Sequence, residues 1–155
     1  MDRERGFTLV EILVVIFIVG LLASFAFPAM TKFLATQAVR SASYDLFADL
    51  IYARSEAIAR GTTITLTGAS STDFKQGWSI LAGTTVLRTQ PSRDSAIQFT
   101  ASQNSFTFDR NGRASNQMLF SIVPASTISN ATDYMKRCIR LDPSGRPKSA
   151  EGACA

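Results

Sequence analysis

The sequence predicts an α+β protein in which one long N-terminal helix packs on an antiparallel β-sheet domain. Three observations carry this. Residues 7–27 form an apolar run broken by a single charge, Glu11. Residues 29–60 contain no Pro or Gly and place apolar side chains at helical spacing. From Thr62 onward the pattern alternates in short runs separated by turn residues, as half-buried strands do.

A chain of 155 residues suits one domain with an appendage. With 46% hydrophobic against 18% charged residues it is too apolar to be disordered, and a membrane-inserted segment is expected. The absence of histidine excludes Ser-His-Asp and Cys-His catalysis and histidine metal ligation. The net charge of +4 is unevenly placed: residues 1–60 balance six basic against six acidic groups, whereas residues 136–155 hold five basic groups against two acidic. A basic end suits anionic partners such as nucleic acid or lipid head groups, and equally a solubility role.

The apolar run over 7–27 is twenty-one residues long with Glu11 as its one charge, which at about 1.5 Å per residue is roughly the hydrocarbon thickness of a bilayer. Arg3 and Arg5 precede it and keep the short leader cytoplasmic, so the rest of the chain crosses. A cleaved secretory signal has the same basic start and apolar run, and Ser24-Phe25-Ala26 offers a small-x-small site. Against that reading, Glu11 lies inside the run, where a carboxylate costs about 2.5–3.5 kcal/mol and is ordinarily partnered. The helical pattern also continues past the site. Pro28 removes one backbone donor and kinks the helix. Beyond it, Val39, Leu46, Leu50, Ala53 and Ala57 form an apolar stripe that Phe47, Ile51 and Ile58 widen, with Arg40, Asp45, Asp49, Arg54 and Glu56 supplying charge. Gly61 ends the helix.

Gly6-Phe7-Thr8-Leu9-Val10-Glu11-Ile12-Leu13 resembles the processing site of class III signal peptides, the prepilins of type IV pili and type II secretion systems. The likeness lies in a short charged leader, Gly, Phe, a Thr-Leu pair, then Glu at the fifth position of the apolar run. It implies cleavage between Gly6 and Phe7 by a prepilin peptidase, methylation of the new amino group of Phe7, and a role for Glu11 in docking subunits. Physical chemistry agrees, since cleavage creates a cation about one turn from the carboxylate, in the same chain or a neighbour.

In the soluble half, candidate strands are 62–67, 78–81, 85–89, 97–101, 105–109, 118–123 and 137–141, punctuated by Gly77, Gly83, Asn111-Gly112 and Pro143-Ser144-Gly145. Asn111-Gly112 is a tight-turn signal between Phe106-Thr107-Phe108 and the next apolar run. Tyr52-Ala53-Arg54-Ser55-Glu56-Ala57-Ile58, Gly77-Trp78 and Phe106-Thr107-Phe108-Asp109-Arg110-Asn111-Gly112 are similar to the GspH/FimT family of minor pilins and pseudopilins. With the leader, the resemblance covers nearly the whole chain and implies a type IV pilin fold.

No side-chain set in the sequence assembles a phosphate loop, a metal site or a nucleophile with its base, and no cofactor is expected. Asp45 with Asp49, and Asp133 with Asp142, read as solvated carboxylates. Cys138 and Cys154 are the two cysteines, and outside the cytoplasm they are expected to form a disulfide that stabilises by about 3 kcal/mol in the chain-entropy estimate and orders the hairpin between them. Within that hairpin Gly145-Arg146-Pro147-Lys148 resembles the Gly-Arg-x-Arg element of FimT-like pilins that bind DNA in natural transformation, with Lys148 where that pattern has arginine. The resemblance points to Arg146 and Lys148, and the charge of the hairpin adds Lys136, Arg137 and Arg140, as candidates for sequence-independent phosphate binding. A basic hairpin that merely packs on its domain is the other reading.

The expected organisation is a cleaved leader over 1–6, a transmembrane half-helix over 7–28, an amphipathic half-helix over 29–60 and a periplasmic β-rich domain over 61–155. The expected function is that of a non-enzymatic, single-pass inner-membrane minor pilin. It joins a tip or initiation complex with other pilins, primes pilus assembly and contacts double-stranded DNA. The alternatives are an H-type minor pseudopilin of a type II secretion system and a secreted soluble binding protein.

Overall fold

The structure, a computed structural model, describes residues 8–93, 96–128 and 131–154. The chain divides into two compact units, one ending at Leu34 and the other covering Ala35–Ala155. Helix α1 (Leu9–Arg60) begins in the first and ends in the second.

In the first unit the helix presents Ile12, Leu13, Ile16, Phe17, Val19 and Leu22 to its surroundings, so apolar side chains are exposed all round it. A helix of this kind has nothing to gain from water and is suited to lipid or to other helices. No single helix among the described residues is long and apolar enough to cross a membrane. Leu9–Phe25 and Ala29–Arg60, taken together across a break, meet that requirement by length and composition. The break falls in the sequence at Pro28, which has no N–H to give to the helix.

Among the described residues the second unit is built from the amphipathic part of α1 and eight antiparallel strands in two sheets. The first sheet contains β1 (Ile64–Gly68), β2 (Trp78–Ala82), β3 (Thr85–Gln90) and β5 (Ser105–Phe108) in the order β3-β2-β1-β5. The second contains β4 (Ile97–Ala101), β6 (Met118–Pro124), β7 (Arg137–Leu141) and β8 (Pro147–Glu151) in the order β4-β6-β7-β8. All pairings are antiparallel, as the alternation predicts, with the strands shared between two sheets. Strand β8 has no counterpart among the sequence-predicted strands. Its side chains are mostly exposed, and its order comes from pairing with β7.

The helix contributes Val39, Ala42, Leu46, Leu50, Ala53 and Ala57 to one buried cluster. Three of the six are alanine, which lets the helix axis lie close to the strands. Facing strand positions obey the two-residue period: Ile64 and Leu66 on β1, Met118, Phe120 and Ile122 on β6, and Ile139 and Leu141 on β7 are all buried. Phe74 ties the sheets together, with its ring centroid 5.3 Å from that of Phe120, 5.9 Å from Phe99 and 6.3 Å from Trp78.

Two expectations differ in this unit, and one holds. Ile51 and Ile58 do not widen the buried stripe but stay about half exposed, because the sheets cover only a narrow sector of the helix. Asn111-Gly112 lies in the tight turn expected of it, which folds the chain back so that Phe108 bridges Ala114 antiparallel, while β5 and β6 on either side belong to different sheets. Asp49 is not solvated: it is 1% exposed and accepts hydrogen bonds from Trp78 Nε1 at 2.9 Å and Arg88 at 2.8 Å. Asp45 instead pairs with Arg93 at 2.8 Å, and Asp133 and Asp142 pair with Lys136 and Lys148.

Candidate functional site

The N-terminal motif places Gly6 and Phe7 outside the described residues. Thr8 directly precedes α1, and its backbone N–H donates to Glu11 Oε2 at 3.4 Å while the Glu11 N–H donates to Thr8 Oγ1 at 3.2 Å. This reciprocal pair is a capping box, which satisfies two of the donors that every helix start leaves orphaned. The box holds the Glu11 carboxylate over the first turn of α1. A negative charge there is also favoured by the positive end of the helix dipole.

The C-terminal candidates lie on or beside the β7–β8 hairpin. Cys138 and Cys154 are bonded, with their Cα atoms 5.1 Å apart, and this fastens the chain end to β7. Arg140 and Lys148 are register partners, so both project from the same, outer face, while Ile139 and Leu141 turn inward. Arg146 is exposed in the turn between the strands. Lys148 reaches Asp142 at 2.9 Å but keeps 70% of its side chain exposed.

The other two candidates are placed apart. Arg137 shares the inward face with Ile139; its side chain is only 14% exposed and donates to Glu151 at 2.9 Å and to the carbonyls of Tyr134 and Lys136. It lines a cavity with Arg40, Tyr44 and Phe47. Lys136 is held by Asp133 at 3.0 Å. The structure thus brings Arg140, Arg146 and Lys148 together and assigns Arg137 and Lys136 local structural contacts.

Sequence reasoning missed two constellations. One is the buried Asp49 with Trp78 and Arg88. The Asp49 hydrogen bond holds the Arg88 guanidinium above its ordinary pKa, and the Arg88 guanidinium also lies 4.0 Å from the ring centre of Tyr52. The signal for it was an acid at the margin of an apolar stripe together with a lone tryptophan whose N–H needs an acceptor. The other is the contact between the turns at 109–113 and 142–146. A Cβ on Gly145 would lie 1.9 Å from the Gly112 carbonyl oxygen, at a backbone φ of 75°. Gly145→Ala is therefore expected to cost more than about 2 kcal/mol in chemical denaturation, from left-handed strain and backbone collision together. Gly152→Ala, at φ 101° in open space, should cost less because only the backbone strain applies.

Among the described residues no group of three or more Cys, Asp or Glu is placed to hold a metal ion.

Comparison with known proteins adds the following. Residues 42–145 match the family described as Type II transport protein GspH. Residues 1–27 match the prokaryotic N-terminal methylation motif. No curated protein matches the sequence. Among solved structures, the type IV minor pilin FimU of Pseudomonas aeruginosa is similar in two crystal forms. Each is 25% identical over 72% of this chain, covering 87% and 91% of the FimU chains, with TM-scores of 0.61 and 0.59. The minor pseudopilin EpsH from the type 2 secretion system of Vibrio cholerae is 10% identical over 73% of this chain and 96% of its own, with a TM-score of 0.56.

Proposed function

The chain belongs to the GspH family and carries the N-terminal methylation motif, and on that premise we propose that it is a minor pilin of a type IV pilus. The family consists of structural pilin subunits and not enzymes. In this reading a prepilin peptidase removes residues 1–6 and methylates Phe7. Residues 7–28 anchor the chain in the inner membrane, and residues 61–155 stand outside it. Other pilins are engaged through the N-terminal helix, and the subunit joins a tip or initiation complex that primes assembly.

The observation that carries the proposal is the union, in one chain, of the methylation motif with a FimU-like domain over 72% of its length. The alternative, an H-type minor pseudopilin, has the family's description and the EpsH fold in its favour; the higher identity to FimU favours the pilus. Mass spectrometry of the membrane-extracted protein should find its N-terminus at methylated Phe7, and Gly6→Leu should leave the leader attached. An N-terminus at Phe27 would establish secretory-signal cleavage and remove the pilin reading.

A second reading concerns DNA. The exposed, register-paired Arg140 and Lys148, with Arg146 in the adjoining turn, form a basic surface that suits phosphates. We read it as a weak, sequence-independent site for double-stranded DNA. Lys136 and Arg137, already engaged with carboxylates and carbonyls, contribute less. Arg140→Gln and Lys148→Gln should weaken binding equally on unrelated duplexes, with an affinity that falls steeply as salt rises.

A further inference from the structure

We infer that the phosphate-binding surface of this chain is a two-turn arginine tip, in which Arg110 and Arg113 act with Arg146 on the backbone of duplex DNA. The inference rests on the DNA reading above and extends it to residues some thirty positions upstream of the hairpin.

The two turns are joined backbone to backbone. Ala114 N–H donates to the Pro143 carbonyl at 3.1 Å, and at Gly145 there is no room for a Cβ against Gly112. Each turn is closed internally, by Gly112 N–H on the Asp109 carbonyl and by Gly145 N–H on the Asp142 carbonyl, both at 2.8 Å. The turns are therefore one rigid object whose arginines need not be gathered when a ligand arrives.

The acids of this region are occupied. Asp109 Oδ1 accepts the backbone N–H groups of Asn111 at 2.8 Å and Arg113 at 2.9 Å, and Asp142 accepts Lys148. Arg110, Arg113 and Arg146 are exposed, and among the described residues none of the three has an ion-pair partner. Beneath them runs Arg54, whose Nε lies 3.0 Å from where a Gly112 Cβ would be and 3.3 Å from where a Gly145 Cβ would be. That Nε is buried and has no hydrogen-bond partner among the described residues. Four guanidinium groups with two internally engaged carboxylates make a site for an extended anion with many phosphates. The planar fork of arginine also matches phosphate better than an ammonium does. The glycines at 112 and 145 serve this by letting the turns meet.

The test is fluorescence anisotropy of the full-length protein in neutral detergent with short labelled duplexes of two unrelated sequences, titrated at several salt concentrations. Arg110→Gln and Arg113→Gln should each make the log–log salt slope shallower by about one, as should Arg146→Gln, with thermal unfolding unchanged. Lys75→Gln, in the short helical turn Phe74–Gln76, should leave the slope as it is. Binding that depends on Arg140, Arg146 and Lys148 but is indifferent to Arg110 and Arg113 would overturn the two-turn tip and leave the DNA reading standing. No binding by the wild-type protein at low salt, or binding to phosphatidylglycerol vesicles in place of duplex, would overturn both.

Discussion

Replacing Asp49 with alanine is expected to destabilise the β-rich unit by about 3 kcal/mol, at the lower end of what breaking a buried ion pair costs. The carboxylate is 1% exposed and has two partners on the first sheet, Trp78 Nε1 and the Arg88 guanidinium. Its removal leaves the Trp78 N–H buried without an acceptor, which alone costs about 1–3 kcal/mol. Arg88 loses less, because 43% of its side chain is exposed and its head can return to water. Asp49→Asn keeps an oxygen acceptor for Trp78 and should fall between alanine and wild type. Arg88→Gln should also be clearly destabilising, by more than about 1 kcal/mol, because it leaves the Asp49 carboxylate, 1% exposed, with Trp78 Nε1 but without its cation. Urea unfolding followed by Trp78 fluorescence measures all three. A loss below about 1 kcal/mol for Asp49→Ala would mean that this carboxylate does not fasten the helix to the sheet.

The same residue shows where reading the sequence stops. The stripe of Val39, Leu46, Leu50, Ala53 and Ala57 was legible because helical periodicity is local, and each of these residues is buried. Asp49 follows the same period at the edge of the stripe, and its partners lie 29 and 39 residues away, where no periodicity points. Seven of the strands were legible from alternation and turn residues. Strand β8 was not, because Pro147-Lys148-Ser149-Ala150-Glu151 has no buried alternate face and is ordered by β7 and the disulfide. Alternation also says which face of a strand is buried without saying which sheet it joins, so the division of eight strands between two sheets emerged only with the structure.

Site residues divide in the same way. Glu11 stood out in sequence because a charge in an apolar run is anomalous by itself. Its capping box with Thr8 was legible in principle as Thr-x-x-Glu at a helix start. The hairpin bases were found by counting charge. Counting could not separate Arg137, turned inward toward Phe47, from Arg140, turned outward toward Lys148. Arg110 and Arg113 were passed over because their nearness to Arg146 depends on two turns meeting at Gly112 and Gly145.

The largest functional effect is expected at Glu11. Valine preserves the apolar helix and its insertion, and removes the one carboxylate that can meet the amino group of a processed Phe7. If that pairing offsets most of the about 2.5–3.5 kcal/mol that a lone acid costs in lipid, its loss should reduce incorporation by more than about tenfold. Thr8→Val, which breaks the capping box but leaves the charge, should reduce it less. The decisive measurement is immunoblotting of sheared pili and of the membrane fraction from cells expressing either form. The account predicts wild-type protein in both fractions and Glu11→Val in the membrane alone. Equal amounts of Glu11→Val and wild type in the pili, or wild type absent from pili altogether, would contradict it.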